Sequence, residues 1–126
     1  MNSKCKMTLA VLAGAALGAA AIQALHAQAK PPAYVMTEVE IINEAAFKEF
    51  SPKVGKTVEA SGGKYLTRGG KIIALDGTAP KRFVLSVFPS VEAAQAWRNS
   101  AAWKAIVPER DKAVKTRAFI AEGTTN

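Results

Sequence analysis

The sequence predicts a single α+β domain with the ferredoxin-like plan, an antiparallel four-stranded sheet in the chain order βαββαβ with its helices on one face. Three observations support this fold class. The chain has 126 residues, which suits one domain. Hydrophobic residues make up 49% and charged residues 21%, a globular composition. Segments with two-residue apolar alternation are separated by segments whose apolar residues lie three and four apart, so strands and helices alternate.

The N-terminal segment has the pattern of a secretory signal peptide, which we assign to residues 1–29. Two lysines precede an apolar run over residues 8–25, and small residues follow it up to Ala29. Cleavage after Ala27 also fits, and an uncleaved membrane anchor is the alternative. We therefore expect a periplasmic or secreted domain over residues 30–126, with no stable membrane insertion once the signal is removed.

Cleavage would remove Cys5 and His26, the only cysteine and the only histidine of the chain. The remaining domain would carry 15 basic residues against 10 acidic ones. It could form neither a Ser-His-Asp nor a Cys-His nucleophilic site. Zinc held by Cys and His, haem held by His, clusters held by Cys, and disulfides are excluded in the same way. We therefore expect no metal and no cofactor.

Periodicity predicts the first strand and the first helix. Residues 33–42 alternate, with one face carrying Val35, Thr37, Val39 and Ile41 and the other carrying Tyr34, Met36, Glu38 and Glu40. Asn43 is a good N-cap for the following helix. That helix has apolar residues at spacings of three, four and four, namely Phe47, Phe50, Val54 and Val58. Pro52 is expected to kink or split the helix, and Gly62-Gly63 to end it.

The middle of the chain predicts further strands. Residues 64–68 and 71–75 are strand-like runs joined by Gly69-Gly70, and this link suits a tight hairpin because glycine accepts positive φ. Residues 82–88 have the strongest strand pattern, with Phe83, Leu85 and Val87 on one face and Val84 and Phe88 on the other. The ferredoxin-like plan places this strand and the first one at the centre of the sheet.

Two helices and a strand complete the predicted domain. Ser90 and Ser100 each suit the N-cap of a helix. The apolar faces of these helices are Val91, Ala94 and Trp97 in the first, and Trp103, Ile106 and Val107 in the second. Pro108 is expected to kink the second helix. Residues 117–122 predict the last strand.

Helices on one face of the sheet would leave apolar side chains exposed on the other. The expected set is Tyr34, Met36, Val84 or Phe83, and Phe119 or Ile120. A patch of this size indicates an association surface, so we expect a homodimer joined through the sheets. The alternative is an ordinary sheet face with a few exposed apolar residues.

Three parts of the chain together resemble the domain-of-unknown-function 1330 family. They are GGKYLTRGG at residues 62–70, FPSVEAAQAW at 88–97, and the C-terminal pair AIVPER at 105–110 and FIAEG at 119–123. The resemblance extends over about residues 33–123. It implies a dimeric α+β barrel, in which two sheets face each other, and it implies no settled activity. Three helical positions depart from the family pattern: Arg98 where an aromatic is common, Ala101 where Pro is common, and Trp103 where Tyr is common.

Arginines and aromatic residues are the candidate ligand-binding side chains. They are Tyr34, Tyr65, Arg68, Trp97, Trp103 and Arg110. Arginine can hold a carboxylate through two parallel hydrogen bonds, and aromatic side chains commonly line pockets. The plainer alternatives are surface ion pairs for the arginines and core or sheet packing for the aromatic residues.

Glu38 is the candidate catalytic base. Glu38 and Glu40 share a strand face, and paired carboxylates can divide acid and base roles when their environments differ. The plainer alternative is a pair of solvated or salt-bridged glutamates.

Two main classes of function remain. The basic residues are scattered, and residues 82–88 lack the glycines of the RNA-recognition signature, so no nucleic-acid partner is expected. The class we favour is a homodimer that binds a small organic ligand in an apolar cleft between sheet and helices, anchored by Arg68 or Arg110. The other is a cofactor-free enzyme, resembling isomerases or monooxygenases, that would use Glu38, a Tyr hydroxyl and an Arg. A purely structural dimer without a ligand is a third possibility.

Overall fold

The computed structural model describes residues 30–125, which form four strands and three helices. The predicted signal peptide lies outside the described residues. The elements in chain order are β1 (Ala33–Ile41), α1 (Glu44–Ala60), β2 (Lys64–Arg68), β3 (Arg82–Phe88), α2 (Val91–Asn99), α3 (Ala101–Ala113) and β4 (Val114–Glu122). This is the predicted α+β class. Among the described residues, no helix is long and apolar enough to cross a membrane.

The four strands form one antiparallel sheet in the order β2-β3-β1-β4. The prediction that β1 and β3 are central is therefore confirmed. Val39 of β1 lies beside Arg82 of β3 on one side and Thr116 of β4 on the other. Because side chains at paired positions project from the same face of a sheet, this row faces the helices together.

The two faces of the sheet follow the predicted alternation. Val35 and Val39 of β1 are buried against the helices, whereas Tyr34, Met36 and Glu38, which alternate with them, lie on the open face. On β3 and β4 the open face carries Phe83 and Phe119, while Val84 and Ile120 pack against the core. We call this open face, with Tyr34, Met36, Phe83, Leu85, Val87 and Phe119, the apolar sheet face.

Side-chain caps begin each helix at the predicted residue. The Asn43 side chain accepts a hydrogen bond from the Ala46 backbone N–H at 3.0 Å. Ser90 and Ser100 do the same for α2 and α3, at 3.1 and 3.2 Å. These bonds satisfy backbone donors that a helix leaves unpaired in its first turn.

The two helical prolines do not split their helices. Pro52 and Pro108 are both exposed, within α1 and α3. Each removes one hydrogen bond to the carbonyl four residues earlier, which belongs to Lys48 in α1 and Lys104 in α3. Both lysines lie on the exposed side of their helices, where water can bind the released carbonyl. Of the kink or split expected at Pro52, the split therefore does not occur.

One predicted strand and one predicted strand boundary were also wrong. Residues 71–75 form no strand, and β2, their expected hairpin partner, pairs with β3 and lies at the edge of the sheet. The segment therefore belongs to the connection at residues 69–81, in which Ile73 and Leu75 are 71% and 92% exposed. The last strand begins at Val114 rather than Arg117, since β4 pairs with β1 as far as the Val114–Ile41 position.

The core is centred on an aromatic stack that joins sheet and helices. Phe88, at the end of β3, is 1% exposed and stacks on Trp97 of α2 with ring centres 5.3 Å apart. Trp97 in turn meets Trp103 of α3 at 4.9 Å. Aromatic pairs at these separations add stabilisation beyond the area they bury.

Replacing Phe88 with Ala should lower the free energy of unfolding by about 3–5 kcal/mol, since it leaves a cavity beside Trp97. Leu75→Ala is the matched control, because Leu75 is 92% exposed and its loss should change stability by less than about 0.5 kcal/mol. Urea denaturation followed by circular dichroism measures both. Equal losses in the two variants would contradict the assigned core.

Candidate ligand-binding cleft

A cavity of about 80 Å³ lies between the helix-facing side of the sheet and the three helices. Its apolar lining comes mainly from α1 and from the tryptophans of α2 and α3: Phe47, Phe50, Val54, Val58, Trp97 and Trp103. Thr37, Ser86 and Thr116 add hydroxyl groups from the strands. We refer to this space as the cleft. Such a largely apolar lining with a few polar groups is typical of small-molecule sites.

The tryptophan wall of the cleft is held by a buried hydrogen-bond chain. The indole Nε1–H of Trp97 donates to the Thr57 hydroxyl at 2.9 Å. That hydroxyl donates to the Val54 carbonyl within α1 at 2.8 Å. Both residues are buried, so the indole donor is satisfied and α2 is fixed in position against α1.

Four arginines line the cleft, and no acidic residue among those described lines it with them. They come from four elements and are Arg68, Arg82, Arg98 and Arg110. A group of cations with low-dielectric walls raises the local concentration of anions. The contacts of each arginine therefore show which of the four guanidinium groups already have hydrogen-bond or ion-pair partners within the protein.

Arg68 is held by the protein itself. Its guanidinium donates to the Ser51 carbonyl at 2.6 Å and to the Ser51 hydroxyl at 3.1 Å. It also lies 4.3 Å from the centre of the Tyr65 ring. Gly55 gives it room, because a Cβ there would lie 3.2 Å from the nearest guanidinium nitrogen. Burial raises the pKa of the Tyr65 hydroxyl, against the charge of Arg68, so this phenol stays protonated.

Arg82 has a buried donor that no atom of the described chain accepts. Its Nε is fully enclosed and has no hydrogen-bond partner. The guanidinium lies 5.0 Å from the Phe47 ring centre and packs against Gly69, whose φ is +74°. A side chain at Gly69 would collide with it. An unsatisfied buried donor costs about 1–3 kcal/mol, so Arg82 is the least satisfied of the four.

Arg98 and Arg110 lie on the same tryptophan. The guanidinium carbon of Arg98 is 4.2 Å from the Trp103 ring centre and 5.2 Å from that of Trp97. That of Arg110 is 5.7 Å from the Trp103 ring centre. Burial, and then the positive charge of Arg110, lower the pKa of Arg98. Burial and the charge of Arg110 both disfavour the charged form of Arg98, and a bound anion would offset both effects.

A polar vestibule continues outward from the cleft. It has a volume of about 490 Å³, and it shares Arg98, Arg110 and Thr116 with the inner cavity. Asp111 and Lys115 also line it. Arg110 donates to the Asp111 carboxylate through Nε and Nη2 at 3.2 and 3.1 Å, an exposed pair of small energetic weight.

The structure brings five of the predicted ligand-binding residues to the cleft. They are Tyr65, Arg68, Trp97, Trp103 and Arg110. Tyr34 instead lies on the apolar sheet face, on the other side of the sheet. Sequence reasoning missed Arg82 and Arg98 as lining residues. The alternation along β3 could have found the first, since Arg82 shares a strand face with Val84.

Glu38 lies outside the cleft. It is on the same face of β1 as Glu40, as expected, and its carboxylate accepts a hydrogen bond from Arg117 Nε at 2.6 Å. Glu40 pairs with Lys81 at 3.2 Å. The hydrogen bond from Arg117 is the main cause that lowers the pKa of Glu38. A lowered pKa makes a weaker base, which is unfavourable for proton abstraction.

Within residues 30–125, no group of three or more Asp, Glu, His or Cys side chains is arranged to hold a metal ion. The cleft contributes cations and hydroxyl groups instead. What it can do chemically is bind a small molecule through apolar contact and charge-assisted hydrogen bonds.

The sequence model of a family described as a domain of unknown function, DUF1330, matches residues 32–124. The chain belongs to this family. None of the curated proteins matches the sequence.

Solved structures support the same fold. The RPA0582 protein of unknown function from Rhodopseudomonas palustris is 18% identical, with a TM-score of 0.61 over 75% of this chain and 84% of that one. Its methylated form matches equally, at 18% identity and TM-score 0.61, over 75% and 82% of the two chains. A conserved protein of unknown function from Bacteroides thetaiotaomicron, described as a possible oxidoreductase, is 11% identical with a TM-score of 0.47 over 75% and 99%. Likeness at these identities concerns the fold alone.

Replacing Arg117 with Gln should raise the pKa of Glu38 toward the usual value for glutamate, about 4.3, because the main hydrogen bond to the carboxylate is lost. In the folded protein that pKa is lowered. The pair therefore stabilises the fold above the unfolded pKa, and the stabilisation is lost as the pH falls through the folded pKa. An NMR titration of the side-chain carboxyl carbons measures the change.

Lys81→Gln is the control for this titration, because it removes a cation that pairs with Glu40 and not with Glu38. It should leave the Glu38 titration unchanged. A Glu38 pKa that does not respond to Arg117→Gln would show that the ion pair is absent in solution.

Proposed function

We propose that this chain is an exported homodimeric module that binds a small organic ligand in the cleft between its sheet and helices. One observation carries the proposal. The cleft combines an apolar lining with two arginines, Arg82 and Arg98, that have no carboxylate partner in the described chain. Arginines that face an apolar cavity are costly for the empty protein, and a ligand that binds them offsets the cost.

The size and construction of the cleft support binding of a small molecule. Its walls are rigid, since Trp97 is anchored to Thr57 and stacked between Phe88 and Trp103. A preformed site loses little conformational entropy when the ligand binds. The vestibule adjoins the inner cavity, since Arg98, Arg110, Val114 and Thr116 line both.

The alternative of a cofactor-free enzyme is less well supported. Its candidate base, Glu38, lies on the opposite side of the sheet from the cleft and is paired with Arg117. Tyr65 is the tyrosine that lines the cleft, and the raised pKa of its hydroxyl disfavours it as a base at neutral pH. Binding without turnover therefore suits the arrangement of side chains better.

The homodimer is proposed from the apolar sheet face. Phe119 is 44% exposed there although it lies on a strand paired to the centre of the sheet. Tyr34, Met36, Phe83 and Leu85 lie on the same face and are half-buried. A contiguous apolar surface is typical of an association site, and a two-fold pairing of identical faces closes the assembly. Export is proposed from the signal-peptide pattern at residues 1–29.

Native mass spectrometry of the protein purified from the periplasm should find a small extra mass on each chain, and Val54→Phe should abolish it. The larger ring at position 54 fills the cavity that Val54 lines. Ile73→Phe is the matched control, since it enlarges a side chain that is 71% exposed outside the cleft. Thermal unfolding verifies that both variants fold.

Binding can also be followed at the two tryptophans, which are the only ones in the chain and both line the cleft. Their indole N–H signals should shift when a fragment library is added to the wild type, and not in Val54→Phe. A wild-type protein that carries no extra mass and shows no shift with any fragment would favour the purely structural dimer.

Phe119→Asp should convert the dimer into a monomer, because the charge would be desolvated within the proposed sheet-to-sheet contact. Leu75→Asp, at an exposed loop position, should leave the dimer intact. Light scattering coupled to size-exclusion chromatography gives the mass of each variant in solution. The mass of the single chain, from mass spectrometry of the same sample, shows whether residues 1–29 have been removed. A wild-type monomer at micromolar concentration would overturn the sheet-to-sheet proposal.

A further inference from the structure

Of the four arginines that line the cleft, Arg110 alone has a carboxylate partner in the described chain. The described residues that line the inner cavity include no aspartate or glutamate. Elsewhere in the described chain, Lys53, Lys81 and Arg117 each have a carboxylate partner within 3.2 Å. The charges of these three cations are thus balanced by a neighbouring carboxylate, whereas those of Arg82 and Arg98 beside the apolar lining are not.

Arg98 is set up to receive a planar anion. Its guanidinium lies 4.2 Å from the centre of the Trp103 ring, and the protein gives it stacking contacts in place of an ion pair. Stacking covers the flat face of a guanidinium and leaves its edge N–H groups available, and these match the two oxygens of a carboxylate. Arg98 is half-buried, so an anion there would be partly screened from water.

Arg110 provides a second cation beside the first. Asp111 accepts from its Nε and Nη2, so its Nη1 makes no hydrogen bond with the described chain. Both guanidinium groups lie within 6 Å of the Trp103 ring centre, at 4.2 and 5.7 Å. The positive charge of Arg110 acts on Arg98 at this place, so the two cations repel each other, and an anion bound to both would reverse the sign of the interaction.

We propose that the ligand of this cleft is a short-chain organic carboxylate, held by Arg98 and Arg110 at the vestibule with its apolar chain in the inner cavity. The inference rests on the proposed binding function and specifies its ligand class.

The cavity volume favours an aliphatic chain over an aromatic ring. At about 80 Å³ the inner cavity has roughly half the ~150 Å³ of an engineered cavity that admits benzene. Its wall of valine, phenylalanine and tryptophan side chains offers apolar contact and few polar groups. A free inorganic anion would bind the arginines and make no contact with this apolar wall.

The proposal is tested by titrating the processed full-length domain at pH 7 with butyrate, butyramide and inorganic phosphate, following tryptophan fluorescence and the indole N–H shifts. Butyramide has nearly the shape of butyrate without its charge. Butyrate should bind at least tenfold more tightly than butyramide, and its affinity should fall as salt is added. Phosphate should bind more weakly than butyrate.

Variants then test the assigned arginines. Arg98→Gln should weaken butyrate binding at least tenfold, and Arg98→Lys should weaken it less, because lysine keeps the charge and loses the two-pronged geometry. Lys104→Gln removes one positive charge from an exposed position on α3 and should change the affinity less than twofold. A tenfold loss in Arg98→Gln with no loss of butyramide binding would support the proposal fully.

Each contrary outcome has a separate meaning. Equal binding of butyrate and butyramide would overturn the carboxylate and leave the small-molecule function intact. Phosphate binding as tight as that of butyrate would overturn an organic ligand, since the apolar cavity would then contribute nothing. Unchanged butyrate affinity in Arg98→Gln would overturn the assigned anchor. No response of either tryptophan to butyrate would overturn this inference, whereas the proposed function is decided separately by the retained mass and the fragment library.

Discussion

The burial of Trp97 is the interaction on which the rest of this domain depends. Its ring stacks on Phe88 at the end of a central strand and meets Trp103 in the last helix, while its indole nitrogen donates to Thr57 in the first helix. One side chain therefore joins the sheet to all three helices. Its polar edge is satisfied inside the core, so the cost of burying an indole N–H is avoided. The same ring forms a wall of the cleft, and stability and binding thus share one residue.

Room for the arginines comes from two glycines outside that stack. Gly55 allows the Arg68 guanidinium to lie against α1, and Gly69 does the same for Arg82 at the beginning of the connection to β3. Gly69 also takes a positive φ, a conformation that side-chain-bearing residues rarely adopt. Glycine, which has no Cβ, thus stands at both places where a guanidinium group approaches the backbone. Packing alone does not account for the presence of arginine side chains beside an apolar cavity.

The two sides of the sheet differ in whether their charged side chains have partners within the chain. On the open face, Glu38 and Arg117 lie at paired positions of β1 and β4, and their charges meet in an ion pair. On the helix-covered face, Arg98 is stacked on tryptophan and Arg82 has an enclosed nitrogen without an acceptor. Burial raises the energetic weight of an unpaired group, so the second face is where a ligand gains most by supplying the missing partner.

Local features of the sequence determined the strand faces, the three helix caps and the α+β class, because alternation, helical spacing and capping depend on residues close together in the chain. The same alternation already separated Tyr34 and Glu38 from Val35 and Val39, and it could have kept them out of the predicted site. Only the tertiary structure decided the rest. Residues 71–75 have strand-like composition, yet β2 pairs with β3 and not with this segment, and no local signal decides between the two partners. The gathering of four arginines around one cavity likewise depends on how β2, β3, α2 and α3 pack, since these residues are far apart in the sequence and become neighbours only through the fold.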